Sequence, residues 1–274
     1  MKKLFAAALV FASLTAMQGP EPAAKGPAPL SLWRLDCGTI DIKDLGVFSD
    51  TGLYAGEKKT LAASCYLVQD GDRLLLWDTG LDGALAGKPR DADGSFLKEK
   101  IVTQLRRIGF DAADVTYVGI SHYHYDHTGQ VADFPNATLL TGKGDWDVIK
   151  VWAPAAARFG HWLKGDGKVE PLDGDKDVFG DGRVTILKMP GHTEGHQALL
   201  VRLAGGPVLI SGDQYHFTKN REVGGVPSFN VDRADTLASH DRFEKLAKNL
   251  GAKVIIQHEP DDIAKLPPFP EAAR

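Results

Sequence analysis

Histidine and aspartate are concentrated in a few short segments of this sequence. The densest segment is H-Y-H-Y-D-H at residues 122–127, which places three imidazoles and one carboxylate within six residues. Imidazole nitrogen and carboxylate oxygen are ligands of zinc and related divalent metals, and close spacing on one turn lets a short backbone segment supply several of them. This segment therefore predicts a metal site.

Three further candidate ligands stand alone later in the chain: His192, Asp213 and His258. Together with the first segment they make seven ligands, more than one tetrahedral ion can use. Two cations that share a carboxylate and a water-derived hydroxide would use all seven. A purely structural metal is the alternative. Structural zinc sites are closed and rich in cysteine, and neither Cys37 nor Cys65 lies in these segments.

A short apolar strand is predicted directly before each group of ligands. These strands cover residues 115–120, 184–189, 208–210 and 254–256. Layered α/β folds collect functional residues outside the ends of their strands, so we expect the ligands to meet at one edge.

The remaining elements are predicted from turn and periodicity signals. Two apolar runs, 62–68 and 74–77, flank an Asp-Gly-Asp turn and predict a β-hairpin. Ser95 is expected to cap a helix that continues to Gly109, and a long helix is expected over 235–250, ended by Gly251.

Residues 142–183, between the two halves, are expected to form helical turns and loops. They contain Trp146, Trp152 and Trp162, which either pack this insertion or form a wall of a substrate pocket.

Taken together, the motifs H-x-H-x-D-H, G-H-T-x-G-H and S-G-D, a late histidine and an upstream W-D-T-G resemble the metallo-β-lactamase superfamily. The similarity spans about residues 32–265. It implies an α/β fold, a four-layer αββα sandwich. It also implies a ligand set of His122, His124 and His192 for a first metal, Asp126, His127 and His258 for a second, and Asp213 as the bridge.

The same resemblance gives roles to residues around the ligands. Asp78 is similar to a supporting aspartate behind the site, which orients a ligand. His196 matches a position that is not usually a ligand. His161 and His240 have no motif around them and are expected at the surface or in packing.

Within the superfamily, true β-lactamases carry cysteine or serine where this chain has Asp213, so the resemblance favours lactone, thioester or phosphoester cleavage. The segments LDCG, SCYLV, LLLWDTG and the C-terminal NVDRADTLASHDRFEKLAKNLGAKVIIQHE are similar to N-acyl homoserine lactonases. These usually have a tyrosine three residues after the bridging aspartate. Here His216 occupies that position and Tyr215 precedes it, so either side chain is a candidate donor to the substrate, or Tyr215 only packs.

The predicted reaction is quorum-quenching lactone hydrolysis of a small-molecule substrate, in which the bridging hydroxide attacks the carbonyl. Asp126 would shuttle the proton, with Tyr215 or His216 as a hydrogen-bond donor. Two divalent cations are expected, with zinc preferred and iron, cobalt and manganese also compatible. The alternatives are an exported hydrolase of thioesters, phosphotriesters or β-lactams, and a metal-binding module without turnover.

Composition and the N-terminal sequence limit the expected partners and the expected cellular location. The chain is 43% apolar and 25% charged with a net charge of −4, which argues against a nucleic-acid partner. Residues 1–16 read as a signal peptide, 17–30 as a flexible leader and 31–274 as the hydrolase domain. We therefore expect a periplasmic or secreted protein.

No later apolar stretch is long enough to insert into a membrane after the signal is removed. An oxidising compartment would permit a bond between Cys37 and Cys65, although two free buried thiols are equally compatible with the sequence. The lactonase resemblance also allows a homodimer.

Overall fold

A computed structural model describes residues 28–274 of the chain. The predicted signal peptide and residues 17–27 of the predicted leader lie outside this range. The first strand begins at Ser31, next to Leu32, where the sequence predicts the onset of structure.

Two sheets run through the described part of the chain. The strands of the first are β1 (Ser31–Ile42), β2 (Lys59–Asp70), β3 (Arg73–Trp77), β4 (Ser95–Phe96), β5 (Tyr117–Gly119), β6 (Thr138–Gly142) and β7 (Val169–Leu172). Their spatial order is β4-β1-β2-β3-β5-β6-β7. The pairings are antiparallel from β4 to β3 and parallel from β3 to β7. Strands β2 and β3 form the predicted hairpin.

The strands of the second sheet are β8 (Lys176–Asp177), β9 (Val184–Lys188), β10 (Gln197–Leu203), β11 (Gly206–Ile210) and β12 (Lys253–Ile255). Their spatial order is β12-β11-β10-β9-β8. Among the described residues, only the β11–β12 pairing of this sheet is parallel.

Helices cover the outer faces of the sheets. Within residues 28–274 the α-helices are α1 (Ile101–Arg107), α2 (Tyr125–Thr128), α3 (Lys143–Ile149), α4 (Ala153–Ala156), α5 (Gly160–Leu163), α6 (Thr218–Glu222) and α7 (Arg233–Leu250). Helix α7 confirms the predicted long helix. The Asp232 side chain caps its start, and Gly251, with a left-handed φ of 58°, ends it.

The alternation of side chains along β3 shows how the layers are built. Leu74 and Leu76 pack with the apolar residues of α1 and α3, whereas Leu75 and Trp77 pack against the second sheet. On the other side of the second sheet, Phe243 of α7 packs against the outward-facing residues of β10 and β11. The order helix, sheet, sheet, helix confirms the predicted four-layer αββα sandwich.

Two sequence predictions are wrong. Residues 142–183, expected as helical turns and loops, also form strands β7 and β8. Ser95 does not cap a helix, because Ser95 and Phe96 form β4 and pair with Ile40 and Thr39 of β1. The helix begins only at Ile101. The apolar spacing that suggested an earlier start reflects a strand whose partner is far away in sequence.

The three tryptophans of the 142–183 insertion differ in their burial. Trp146 and Trp162 are buried in the core between the first sheet and its helices, as the packing interpretation predicts. Trp152 is half-exposed, and its ring centroid lies 5.6 Å from that of Tyr123. No helix within residues 28–274 has the length and apolar character needed to cross a bilayer.

The two cysteines, which the sequence left undecided, are joined. Cys37 of β1 and Cys65 of β2 form a disulfide, with their Cα atoms 5.8 Å apart. The bond links two antiparallel neighbours inside the core between the first sheet and its helices.

Candidate metal centre

The predicted ligands meet at one edge of the sandwich, where strands from both sheets end. The chain leaves β5 toward His122, β9 toward His192, β11 toward Asp213 and β12 toward His258. Because β11 and β12 are parallel neighbours, their carboxyl ends deliver Asp213 and His258 side by side.

The first ligand group contains three imidazoles and one carboxylate. Its potential ligand atoms all lie within 4.8 Å of one another. His124 Nδ1 lies 2.9 Å from His122 Nε2 and 3.1 Å from His192 Nε2. Asp213 Oδ2 lies 3.5 Å from His122 Nε2 and 3.3 Å from His192 Nε2. The group matches the ligand set predicted for a first cation.

The second group contains Asp126, His127 and His258, whose ligand atoms also lie within 4.8 Å of one another. His127 Nε2 and His258 Nε2 are 3.0 Å apart. The other oxygen of Asp213, Oδ1, lies 3.2 Å from the first of these nitrogens and 3.0 Å from the second. Asp213 therefore faces both groups, one oxygen to each, as the predicted bridge would.

In three of the five imidazoles, the nitrogen that points away from the ligand groups bonds to an acceptor. His192 Nδ1 donates to Asn230 Oδ1 at 2.8 Å, and His258 Nδ1 donates to the Ala62 carbonyl at 2.7 Å. His127 Nδ1 donates to Asp78 at 2.8 Å. Because one nitrogen of each ring donates outward, the neutral ring turns the lone pair of its other nitrogen toward the group.

The converging nitrogen and oxygen atoms of the two groups fit two cations. Asp213 Oδ1 is buried and has no hydrogen-bond partner among the described residues, although two imidazole Nε2 atoms lie near it. Lone pairs of unprotonated imidazoles that converge on a carboxylate repel it, and a cation placed among them turns each into a ligand. The arrangement is that of two divalent metal sites sharing one carboxylate.

The electrostatics agree with this fit. Burial lowers the pKa of His122 well below its ordinary value and that of His124 to about 3. Burial opposes ionisation of Asp213, but His258 and His127 hold the pKa of Asp213 well below its usual range. Asp213 in turn raises the pKa of His127 and His258 against the effect of burial. Positive charge is thus favoured beside Asp213, where a cation would supply it.

A cavity of about 270 Å³ opens onto this cluster. One side carries polar groups of the site, including Asp126 and His216, and the other side is apolar. The apolar side is formed by Ile40, Ile42, Phe48, Leu61 and Phe229. A larger cavity of about 630 Å³ adjoins it at Tyr125, which lines both. A small molecule with a polar reacting group and an apolar tail fits these surroundings.

Comparison with known proteins identifies the family to which this fold belongs. The family profile described as metallo-beta-lactamase superfamily matches residues 59–258, a span that contains every predicted ligand. The chain belongs to the metallo-β-lactamase superfamily. Among curated members, it is 30% identical over 250 residues to the N-acyl homoserine lactonase AttM of Rhizobium johnstonii, covering 84% of this chain and 94% of that protein. It is 27% identical to an N-acyl homoserine lactonase of a Bacillus species, covering 80% and 90% respectively.

Solved structures of this superfamily share the fold. An N-acyl homoserine lactone hydrolase with N-hexanoyl-L-homoserine at its catalytic metal centre superposes with a TM-score of 0.74 at 23% identity, over 90% of this chain and 100% of that one. AidC, a dizinc quorum-quenching lactonase, superposes with a TM-score of 0.68 at 22% identity, over 90% of each chain.

The structure separates the two candidate donors that follow Asp213. His216 Nε2 lies 3.0 Å from Asp213 Oδ2, and its ring stacks on His258 with centroids 5.7 Å apart. Its other nitrogen, Nδ1, is buried without a hydrogen-bond partner among the described residues. Burial lowers the pKa of His216 to about 4, so the ring is neutral at physiological pH. His216 lies in the site.

Tyr215 lies elsewhere, and its surroundings agree with the alternative in which it only packs. Its ring is buried against α7, stacked 4.3 Å from His240 and close to Phe243. Its phenol faces Glu244, and burial raises the pKa of Tyr215. Successive residues of an extended segment point to opposite sides, so only one of Tyr215 and His216 can face the ligands.

The remaining histidines are not placed as ligands. His196 accepts a hydrogen bond from the Asp213 backbone N–H at Nε2, 2.8 Å away, and supports the bridge from behind. His240 is buried and donates to the Gln214 carbonyl. His161 is partly buried beside Trp162.

Two residues of the centre were missed by sequence reasoning. Asn230 holds His192 but lies 38 positions away from it, and Phe229 covers the rings of His192 and His216. Both lie between α6 and α7 in a segment with no metal-ligand motif. Asn230 begins the C-terminal segment that is similar to N-acyl homoserine lactonases, but that resemblance gave it no role.

Proposed function

We propose that this chain is a dinuclear metal-dependent hydrolase that opens the lactone ring of N-acyl homoserine lactones. The observation that carries the proposal is Asp213, whose two oxygens face two separate groups of ligands at the base of a partly apolar cavity. Curated relatives that align along most of this chain carry the name N-acyl homoserine lactonase, which agrees with the proposal.

Two bound cations would supply Lewis acidity to a substrate carbonyl and lower the pKa of bound water. His122, His124 and His192 would hold the first, Asp126, His127 and His258 the second, and Asp213 would contact both. We propose zinc, because imidazole nitrogen and carboxylate oxygen in small numbers suit it. Iron, cobalt and manganese accept the same ligands, and metal analysis of the purified protein decides among them.

The side chains around the cluster have separate tasks in this proposal. Asp126 is only 12% exposed and borders the cavity, where its carboxylate can take up and release the proton of the reacting water. His216 lies against Asp213 and lines the cavity, and its neutral ring has one N–H, which it can donate either to Asp213 or to an oxygen of the bound substrate. Phe48 and Phe229 keep water away from one side of the cavity and offer contact to an acyl chain.

The experiment is a pH-stat assay, because lactone opening adds water across the ring ester and releases one proton from the new carboxylic acid at neutral pH. The metal-loaded protein is tested against N-acyl homoserine lactones of several chain lengths, a cephalosporin, an S-acyl glutathione and a phosphotriester. Turnover of lactones above the other classes, lost on chelation and in Asp213→Ala, supports the proposal. Preferential turnover of another class overturns it, and bound metal with no turnover identifies a binding module.

We also propose that the protein is exported to the periplasm or beyond. The charged and apolar start of the chain supports this, and so does the Cys37–Cys65 disulfide, since such bonds persist in oxidising compartments. Fractionation of the source cells, with the N-terminus of the mature protein read by mass spectrometry, tests the proposal. A homodimer, implied by resemblance to lactonases, is tested by light scattering of the same material.

A further inference from the structure

A buried carboxylate outside the ligand set touches the backbone on which the first ligand group is built. Asp145 of α3 is 0% exposed. Its Oδ1 accepts a hydrogen bond from the Gly195 backbone N–H at 2.6 Å, and its Oδ2 accepts one from the Thr193 hydroxyl at 3.0 Å. The backbone N–H of Tyr123 also faces this carboxyl group and lowers its pKa. In the ionised state of Asp145, both groups that bond to it act as donors.

These donors belong to the two loops that supply the imidazoles of the first group. Tyr123 lies between His122 and His124, and Thr193 directly follows His192. The two loops are 70 positions apart in sequence. Asp145 bonds to the loop after His192 and faces the Tyr123 backbone N–H of the other loop. A second link runs beside it, because the Tyr123 hydroxyl lies 3.5 Å from Glu194 Oε2.

The backbone around Asp145 is packed so closely that three of its glycines have no room for a Cβ. A Cβ on Gly142 would lie 1.9 Å from the Gly195 carbonyl oxygen, and one on Gly144 would lie 2.7 Å from the Glu194 carbonyl carbon. A Cβ on Gly195 would lie 2.4 Å from the Asp145 backbone nitrogen. The start of α3 and the loop after His192 therefore fit together only as glycine, and the Asp145 side chain is fixed between them.

This position favours a carboxylate. An asparagine of the same size would turn its NH₂ group either toward the Gly195 N–H, which is then unpaired, or toward the Thr193 hydroxyl, which must then accept instead of donate. Asp145 forms no salt bridge among the described residues, so its charge is compensated by these hydrogen bonds alone. Burial raises the pKa of Asp145 to about 7, which marks the charged form as a cost to the fold.

We infer that Asp145 is a positioning residue that fixes the two loops of the first ligand group to each other and thereby sets the affinity of that group for its cation. The inference rests on the metal centre of the proposed function but not on the choice of substrate. Asp145 would act on the first group as Asp78, which bonds to His127, acts on the second.

Cobalt binding tests this inference, because Co²⁺ replaces zinc in such sites and absorbs visible light. The Co²⁺ affinity of each ligand group is measured alone. That of the first group is measured in a His258→Ala background, and that of the second in a His192→Ala background. Asp145→Asn is expected to weaken Co²⁺ binding to the first group by about 10- to 100-fold and to leave the second within about twofold. Thr193→Val, which removes one donor, should weaken the first group by a smaller factor.

Two controls separate positioning from loss of fold. Asp147→Asn changes an exposed carboxylate of the same helix, bonded to Lys143 and Lys150, and should leave both affinities unchanged. Val184→Ala removes core volume at the start of β9 and lowers thermal stability without touching either loop. Equal loss of Co²⁺ affinity in Val184→Ala and Asp145→Asn at matched stability would overturn the inference, and so would unchanged affinity in Asp145→Asn.

Turnover gives an independent reading. In the otherwise unaltered protein, Asp145→Asn should lose activity at limiting metal and regain most of kcat when Co²⁺ is in large excess. Absence of lactone turnover in the parent protein would overturn the proposed function, while the affinity measurements would still decide the role of Asp145. Failure of the parent protein to bind Co²⁺ would overturn both.

Discussion

Asp78 Oδ2 lies 2.8 Å from His127 Nδ1, although the two residues are 49 positions apart in sequence. The same carboxylate accepts hydrogen bonds from the Ser121 hydroxyl and from Gln257, and its other oxygen accepts one from the Ser121 backbone. An ionised carboxylate can only accept, so His127 must donate through Nδ1 and direct the lone pair of Nε2 toward the second ligand group.

Asp78→Asn is expected to weaken cation binding at the second group by about 10- to 100-fold, because an amide group cannot accept from all of these donors. Asparagine suits the backbone here, since Asp78 has a left-handed φ of 59° that both residue types tolerate. Competition with a metal chelator measures the affinity, with Asp147→Asn as the exposed control. An affinity within twofold of the parent protein would contradict the orienting role of Asp78.

Asp213→Ala should reduce the metal content from two ions to one or fewer and lower turnover by more than about 100-fold, the upper range for residues that only support a ligand. The physical reason is that the carboxylate faces both groups, so its removal takes a ligand from each. Elemental analysis of the purified variant, alongside the pH-stat rate, checks this. Retention of two tightly bound ions would show that Asp213 is not shared.

Much of this centre is predictable from sequence because its ligands are local. His122, His124, Asp126 and His127 occupy one turn, and a strand ahead of each ligand segment was visible as a short apolar run. The supporting residues were not visible in the same way. Asn230 reaches His192 across 38 positions, and only the folded chain brings them together.

Contacts between residues that are distant in sequence also explain where the sequence predictions differ from the structure. Phe96 pairs with Thr39 from a distant strand, and the local apolar spacing was read as helix. Tyr215 and His216 are adjacent, so a residue-by-residue comparison could not decide which of them faces the ligands. The backbone of the segment after Asp213 decides it, and that backbone is fixed by packing against α7.

His216→Phe should lower kcat by about 10²-fold or more while two metal ions per chain are retained. Phenylalanine preserves the ring packing on Phe48 and Phe229 but removes the nitrogen that lies 3.0 Å from Asp213. Steady-state rates and elemental analysis of the same sample separate the two effects. Loss of one ion in this variant would instead identify His216 as a metal ligand.

Tyr215→Phe should leave kcat and KM within about twofold of the parent values, because the phenol faces Glu244 and not the cavity. The expected effect is on stability, at about 1 kcal/mol for a lost hydrogen bond between partly buried groups. Urea unfolding and the lactonase assay on one preparation measure both. A fall in kcat comparable to that of His216→Phe would place the phenol in the active site.

The buried Asp145 should make stability depend on pH in the neutral range. Burial raises the pKa of Asp145 from 3.8 to about 7, against the lowering effect of its hydrogen bonds to Thr193 and Gly195. Because the folded-state pKa lies above the unfolded value, the stabilising contribution is fully present below about pH 4 and is lost as the pH rises through about 7.

Asp145→Asn has no proton to lose at this position. The free energy of unfolding of the parent protein, measured relative to Asp145→Asn, should therefore fall by about 3 kcal/mol between about pH 5 and pH 8. Urea unfolding of chelator-treated protein measures this difference, in which the histidines common to both proteins cancel. Asp147→Asn should give a difference that is flat over the same range, because the lysines beside Asp147 lower its pKa to about 2. A flat difference for Asp145→Asn as well would mean that the carboxyl group stays ionised throughout, and that its donors compensate fully for its burial.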